Sequence, residues 1–226
     1  MSALTHAGAY HFCHVLREYT HFAGDGRGLV IGYGRGHEAS FLAQQLQVPV
    51  IGIDLFPPEK RETTEVQFLP VLANTLNLPF PDQAFALVFC HHVIEHVADP
   101  PALLLEIKRV LRFEGWLYIG TPNRNRIIGY IGSHGATLRQ KVLWNLIDYR
   151  DRLCGRFTNE MGAHAGFNRR ELQTMLQEHF SKVYWLTEEY LKFKYSDRLP
   201  DLVLRFLTLD RIVNFAAPAF YALCRK

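Results

Sequence analysis

Two stretches of this chain combine residue types and spacings that could do chemistry. The first is Gly32, Gly34 and Gly36, alternating glycines that close the apolar run Leu29-Val30-Ile31 and lead into His37 to Ala43, which reads as a helix. Without a Cβ, such a turn can take positive φ and come close to a ligand, while the helix start offers unpaired N–H groups. That chemistry suits a nucleotide-like molecule, although tight turns also use glycine for structural reasons alone. The second stretch is His91-His92-Val93-Ile94-Glu95-His96, whose imidazoles and carboxylate could move a proton or hold a metal.

A second apolar run, Val48 to Ile53, ends in Asp54, about where a carboxylate after the second strand can accept hydrogen bonds from both ribose hydroxyls. The dinucleotide pattern G-x-G-x-x-G requires glycine at position 37, which holds His37, so the spacing points to a smaller nucleoside ligand. His92, Glu95 and His96 also fit the H-x-x-E-H spacing of inverted zinc peptidases, an alternative that needs a long helix and a third ligand. Otherwise no metal is expected. His92 and His164, both placed by the sequence near the carboxyl edge of the sheet, are the candidate general bases. An ordinary hydrogen-bonded or surface role remains open for each.

These residues need a frame. The spacing predicts an amphipathic helix over 5–22, strands ending at Ile31 and Asp54, and a third strand from Val66 to Leu72. A loop, Leu76 to Asp82, precedes a fourth strand, Ala84 to Cys90, that is apolar without alternation. Continuous apolar strands between helices mean a parallel sheet covered on both faces, with ligands at the carboxyl ends of its strands. Pro100-Pro101 start a helix to about Arg112, Trp116 to Ile119 form the fifth strand, and Asn168 caps a helix from Arg169 to about Glu178. Val183 to Thr187 and Ala219 to Cys224 complete the sheet. The whole, 1–226, reads as one α/β domain: a Rossmann-like three-layer sandwich with a mostly parallel seven-stranded sheet. Helical insertions are expected at about 124–166, with a helix over 138–153, and at about 188–214, helical between 202 and 209.

Composition narrows the class. With 48% hydrophobic and 21% charged residues over 226 positions, the chain can bury a full core, and a net charge of +3 is too mild to imply nucleic acid. Four cysteines without a Cys-x-x-Cys pair, and a start lacking a basic segment followed by an apolar one, suggest a soluble, cytoplasmic protein. Between Thr121 and Arg170 nine basic residues face three acidic ones, which reads as a solvated face or as a lid attracting an anionic substrate or membrane surface. Membrane contact would then be peripheral, since charges interrupt the apolar stretch after Leu199.

In the order and spacing of the Ile31–Gly36 turn, Asp54, Leu78-Pro79-Phe80, Val93–Val97 around Glu95-His96, Arg109-Val110-Leu111 and Thr121-Pro122-Asn123, the chain resembles the class I S-adenosylmethionine-dependent methyltransferases. It looks most like their small-molecule, type 11 group, which includes ubiquinone and menaquinone biosynthesis enzymes. The resemblance implies S-adenosyl-L-methionine as cofactor, with Gly32, Tyr33, Gly34 and Gly36 against its methionine part and Asp54 and Leu55 at the ribose. By the same likeness Asn74, Thr75 and Leu76 would lie along the adenine, and His91 and His92 would close the pocket near the sulfonium. The chain departs from the family pattern at Val30, Asn74 and Ala86, and at Arg112-Phe113-Glu114-Gly115. These losses keep a degenerate, non-catalytic cofactor-binding module in view. The expected activity is methyl transfer to a small molecule, hydrophobic in view of aromatics such as Tyr10, Phe12, Trp144, Tyr149, Phe157 and Phe193, or anionic in view of the basic segment. A buried aromatic core would explain many of those rings equally well.

Overall fold

Strands β1 (Gly28–Ile31), β2 (Val50–Asp54) and β4 (Phe85–His91) carry apolar residues on both faces because helices cover both sides of the sheet they form. The structure, a computed structural model, describes residues 7–20, 22, 24–57, 68–130, 135–160, 164–197 and 199–226. With β3 (Phe68–Leu72), β5 (Leu111–Pro122), β6 (Lys182–Trp185) and β7 (Ala219–Arg225), seven strands lie in the order β3-β2-β1-β4-β5-β7-β6. The pairs from β3 through β5 are parallel, and β7 runs antiparallel to β5 and β6. The strand order reverses between β1 and β4, so a crevice for a ligand is expected beyond their carboxyl ends.

Alternate side chains of each strand feed two cores. On one face, α1 (Ala7–Tyr19), α2 (His37–Leu46) and α6 (Thr187–Tyr195) bury Phe12, Leu42 and Tyr190 against Val30, Phe89 and Tyr118. On the other, α3 (Pro100–Val110) and α5 (Arg169–His179) bury Leu104, Ile107 and Leu176 against Ile31, Val88 and Ile119. Asp99 caps α3, its carboxylate accepting from the Ala102 N–H at 3.0 Å, and Asn168 with Glu171 forms a capping box on α5.

The insertions hold α4 (Leu138–Leu153) and the helices α6, α7 (Asp201–Leu207) and α8 (Asp210–Ala216), whose small core is built on Leu191, Leu204 and Val213. Three boundaries differ from the sequence expectation. Thr187 opens α6 instead of closing β6, because its hydroxyl is tied to the backbone of Tyr221. The helix expected to reach Arg112 stops at Val110, and β5 takes over from Leu111, with Glu114 in positive φ. The second helical insertion runs on through α8 to Ala216. Residues 66 and 67, expected in β3, and the polar connection before them lie outside the described residues. No described helix is long and apolar enough to cross a membrane.

Candidate active site

The glycine turn is drawn into place by the strand beside it. Gly32 and Tyr33 donate their N–H groups to the Ile53 carbonyl at 2.8 and 3.2 Å, and Gly36 donates to the Tyr33 carbonyl at 2.7 Å. Gly32, Gly34 and Gly36 all have positive φ, at 72, 51 and 81°. Gly32 and Gly36 are needed for packing, since a Cβ would lie 2.3 Å from Val93 and 2.7 Å from the Phe68 ring respectively. Gly34 is different: a Cβ there meets nothing within 4 Å, so its bare backbone fronts open space.

Asp54 closes that space from the second strand. Its Oδ2 accepts the Gly34 N–H at 2.9 Å, and its Oδ1 accepts the N–H groups of Leu55 and Phe56 at 2.7 and 3.3 Å. Leu55 leaves its side chain 63% exposed beside the carboxylate, while Asn74 folds its own loop by accepting the Leu76 N–H at 2.9 Å. Thr75 is half-buried in that loop. Tyr33 turns away: its side chain is buried, lies tilted against the Phe68 ring and donates to the Phe56 carbonyl at 3.1 Å, so only its backbone belongs to the turn. Val30 is a core residue, and the hydrogen bonds to Ile53 hold the turn.

Val93, which packs on Gly32, is the neighbour of His92, so the turn and the histidines meet at the end of β4. His91 lies between the bare backbones of Gly8 and Gly120, and its Nδ1 is 3.1 Å from the Glu38 carboxylate in the first turn of α2. His92 leaves the strand with φ of +56°, a conformation that costs a non-glycine residue on the order of 1–3 kcal/mol and tends to mark functional sites. Its Nδ1 is 3.3 Å from Glu95 Oε1, while Glu95 Oε2 accepts the Thr121 hydroxyl at 3.0 Å. Glu95 is only 2% exposed, and with Nδ1 of His92 on its carboxylate, Nε2 is the nitrogen left to take a proton.

His92, His96, His164, Arg126, Tyr190 and Lys194 line one cavity of about 470 Å³ at the carboxyl edge of the sheet. His164, 72 residues beyond His92 in the chain, sets its ring edge-on to His96 at 4.5 Å between centroids. The insertion is pinned there by Arg126, whose guanidinium donates to Asp148 at 2.8 Å and to the carbonyls of Asn123 and His164. Tyr130 donates to the other oxygen of Asp148 at 2.9 Å.

Charge states follow from this packing. Desolvation at the cavity, then the neighbouring His91, holds the His92 imidazole below its ordinary value against the pull of Glu95, although its side chain is 42% exposed. Burial works against the Glu95 carboxylate, yet the His92 hydrogen bond and charge outweigh it and lower its value. Burial and His96 lower His164 as well. Tyr190 is pushed up to about 12 by burial, so it is a neutral phenol stacked 3.8 Å from Tyr221, a wall and not a base.

The inverted-peptidase alternative does not survive this geometry. Only Ile94–His96 is helical, a single 3-10 turn, and His92 stands before it with left-handed backbone. Among the described residues, the ligand atoms of His92, Glu95 and His96 do not converge on a common point, whereas those of His14, Glu18 and Glu189 lie within 4.8 Å of one another at the surface between α1 and α6. Sequence reasoning missed Glu38, Arg126, Tyr190 and Lys194 as site residues. Glu38 alone left a signal, as an acid in the first turn after the glycines.

Residues 29–119 match a family model described as a methyltransferase domain, over the strands and turns that carry this geometry. Over this stretch the chain is similar to the methyltransferase domains of the type 11 group. Curated relatives of the chain include an uncharacterized protein of Methanocaldococcus jannaschii, 30% identical over 46% of this chain and 48% of its own length. A ubiquinone biosynthesis O-methyltransferase of Thiobacillus denitrificans is 30% identical over 45% of this chain and 44% of its own. The chain thus spans about half the length of these two curated relatives. Among solved structures, a phosphoethanolamine N-methyltransferase of Haemonchus contortus, in complex with phosphomonomethylethanolamine and S-adenosylhomocysteine, superimposes with a TM-score of 0.60 at 15% identity, covering 100% of this chain and 58% of its own. An S-adenosylmethionine-dependent methyltransferase of Archaeoglobus fulgidus gives 0.57 at 20% identity, covering 96% and 94%. At such identities these two share the methyltransferase fold.

Proposed function

We propose that this chain is an S-adenosylmethionine-dependent methyltransferase that acts on a small molecule bearing a hydroxyl. The observation that carries the reading is the hydrogen bond between the Gly34 N–H and the Asp54 carboxylate beside open space. A bare peptide and a carboxylate from adjacent strands meet there, with no protein atom within 4 Å of where a Gly34 Cβ would stand, an arrangement that suits a nucleoside with two ribose hydroxyls. In this reading the turn at Gly32, Gly34 and Gly36, with the backbone of Tyr33, lies along the methionine part. Asp54 and Leu55 take the ribose, and Asn74, Thr75 and Leu76 flank the adenine. His91, fixed by Glu38, closes the reacting end.

S-adenosylmethionine supplies an electrophilic methyl group on a sulfonium, and the displacement is in line, so alignment by the protein can provide about 7–11 kcal/mol of the acceleration. The chain's own part is orientation and proton transfer. Arg126 and Lys194 give the cavity positive charge for an anionic acceptor, and Tyr190 and Tyr221 give it aromatic walls. Neutral His92 accepts the acceptor's hydroxyl proton at Nε2 while Glu95 stabilises the imidazolium formed, and Thr121 keeps Glu95 aimed. His164 is the second base on the same cavity, its backbone placed by Arg126.

Titration of the intact chain with S-adenosylhomocysteine in a calorimeter tests the reading. Saturable one-to-one binding is expected, and no heat at millimolar ligand would end the proposal. Asp54→Ala is expected to weaken that binding by about 1.5–3 kcal/mol, the value of a hydrogen bond to a charged group. Unchanged affinity would remove Asp54 from the site.

A further inference from the structure

We propose that the acceptor is an amphiphile, its polar end in the histidine cavity and its acyl or prenyl chain in a second cavity among α6, α7 and α8. The inference rests on the methyltransferase reading and names the substrate class. The second cavity, about 710 Å³, is walled almost wholly by carbon, including Leu191, Leu199, Val203, Phe206, Ile212 and Phe215. That is the size and chemistry of a small-molecule site rather than of a packing defect.

Its position gives the occupant. Pro218 lines both cavities, and at three points residues adjacent in the chain line one cavity each. Arg126, Tyr190 and Lys194 face the histidine cavity, while their successors Ile127, Leu191 and Tyr195 face the apolar one. On α6 the polar pair Tyr190 and Lys194 is four residues apart and runs beside the apolar pair Leu191 and Tyr195, so one helix edge divides head from tail. Lys194 puts a cation at the division, suited to a carboxylate or phosphate joining the two parts. Beyond it, Phe206 and Phe215 remain 56% and 50% exposed at the rim, apolar surface that a chain would cover.

Calorimetry with butanoate, octanoate and dodecanoate below its micelle concentration tests the inference, with S-adenosylhomocysteine affinity measured on the same samples. Affinity is expected to rise roughly fourfold per methylene between octanoate and dodecanoate, the increment for burying CH₂ groups. Val203→Trp and Ala216→Trp, which fill the apolar cavity, are expected to weaken dodecanoate at least tenfold without moving S-adenosylhomocysteine affinity. Val203 is 40% exposed at the rim, so its variant keeps the test valid if the more enclosed Ala216 variant fails to fold. Lys194→Glu should weaken dodecanoate but not dodecanol. Dodecanoate that fails to bind, or binds both filled variants as well as the parent, overturns the inference. So does a concentration-dependent dimer in gel filtration that Val203→Trp abolishes, since the face then belongs to a second copy. Absent S-adenosylhomocysteine binding would instead strike the underlying reading, whatever the fatty acids do.

Discussion

His92→Gln should slow methyl transfer to a hydroxyl acceptor roughly 10²- to 10⁴-fold, the usual contribution of a positioned base. Glutamine fills similar space and can still hydrogen-bond Glu95, so the loss isolates proton transfer from packing. The pH profile supplies the readout that a structural role would not move. The active form of His92 is the neutral imidazole, and desolvation at the cavity beside His91 disfavours its protonation. Activity should therefore fall on acidification only below the ordinary histidine value of 6.5, and the variant should lack that acid limb. S-adenosylhomocysteine released per minute across pH 4.5 to 8 would show it. A variant as fast as the parent, or with the same acid limb, removes His92 from proton transfer. A module that binds the cofactor without catalysis would show no His92-dependent release at any pH.

The largest stability effect is expected at the pin of the first insertion. Arg126 is 5% exposed and Asp148 8%, and their ion pair at 2.8 Å is completed by Tyr130 and by Phe157 under the guanidinium at 5.2 Å. Asp148→Ala strands a buried guanidinium without its counter-charge, a change that costs about 3–5 kcal/mol when one partner of such a pair is removed. Arg126→Met with Asp148→Leu, which removes both charges, should restore most of the loss, because a matched apolar pair avoids the desolvation penalty. Urea unfolding of the three proteins decides it. A single variant less than about 1 kcal/mol below the parent would show that the pair behaves like an exposed one. Because Arg126 also holds the His164 carbonyl, the single variant should loosen the cavity wall as well.

What could be read from the sequence was whatever neighbours in the chain decide. Leu29 to Ile31 and Phe85 to Cys90 announce buried strands by composition, Asn168 and Glu171 announce a cap by spacing, and Gly32 to Gly36 announce a turn by absence of side chains. Asp54 was legible because the second strand ends a fixed distance after the first. The contacts that complete the cavity were not, because they join residues 53 apart in Glu38 and His91, or 22 apart in Arg126 and Asp148. The left-handed backbone of His92 gave no warning either, since histidine carries no glycine-like signal for positive φ. Tyr33 shows the reverse limit: its place in the turn was legible, but the direction of its ring depended on Phe68 from another strand.

The deciding experiment concerns Gly34, whose missing side chain fronts empty space. In Gly34→Ala the methyl group meets no protein atom, so folding should lose only the roughly 1–2 kcal/mol of a left-handed alanine. The same methyl group would enter the space proposed for the cofactor, and S-adenosylhomocysteine affinity should fall about 5- to 150-fold, the effect of 1–3 kcal/mol of overpacking. A near-parental melting temperature with that loss of affinity is the expected result. Undiminished affinity in the folded variant would mean that the turn and Asp54 do not hold the cofactor.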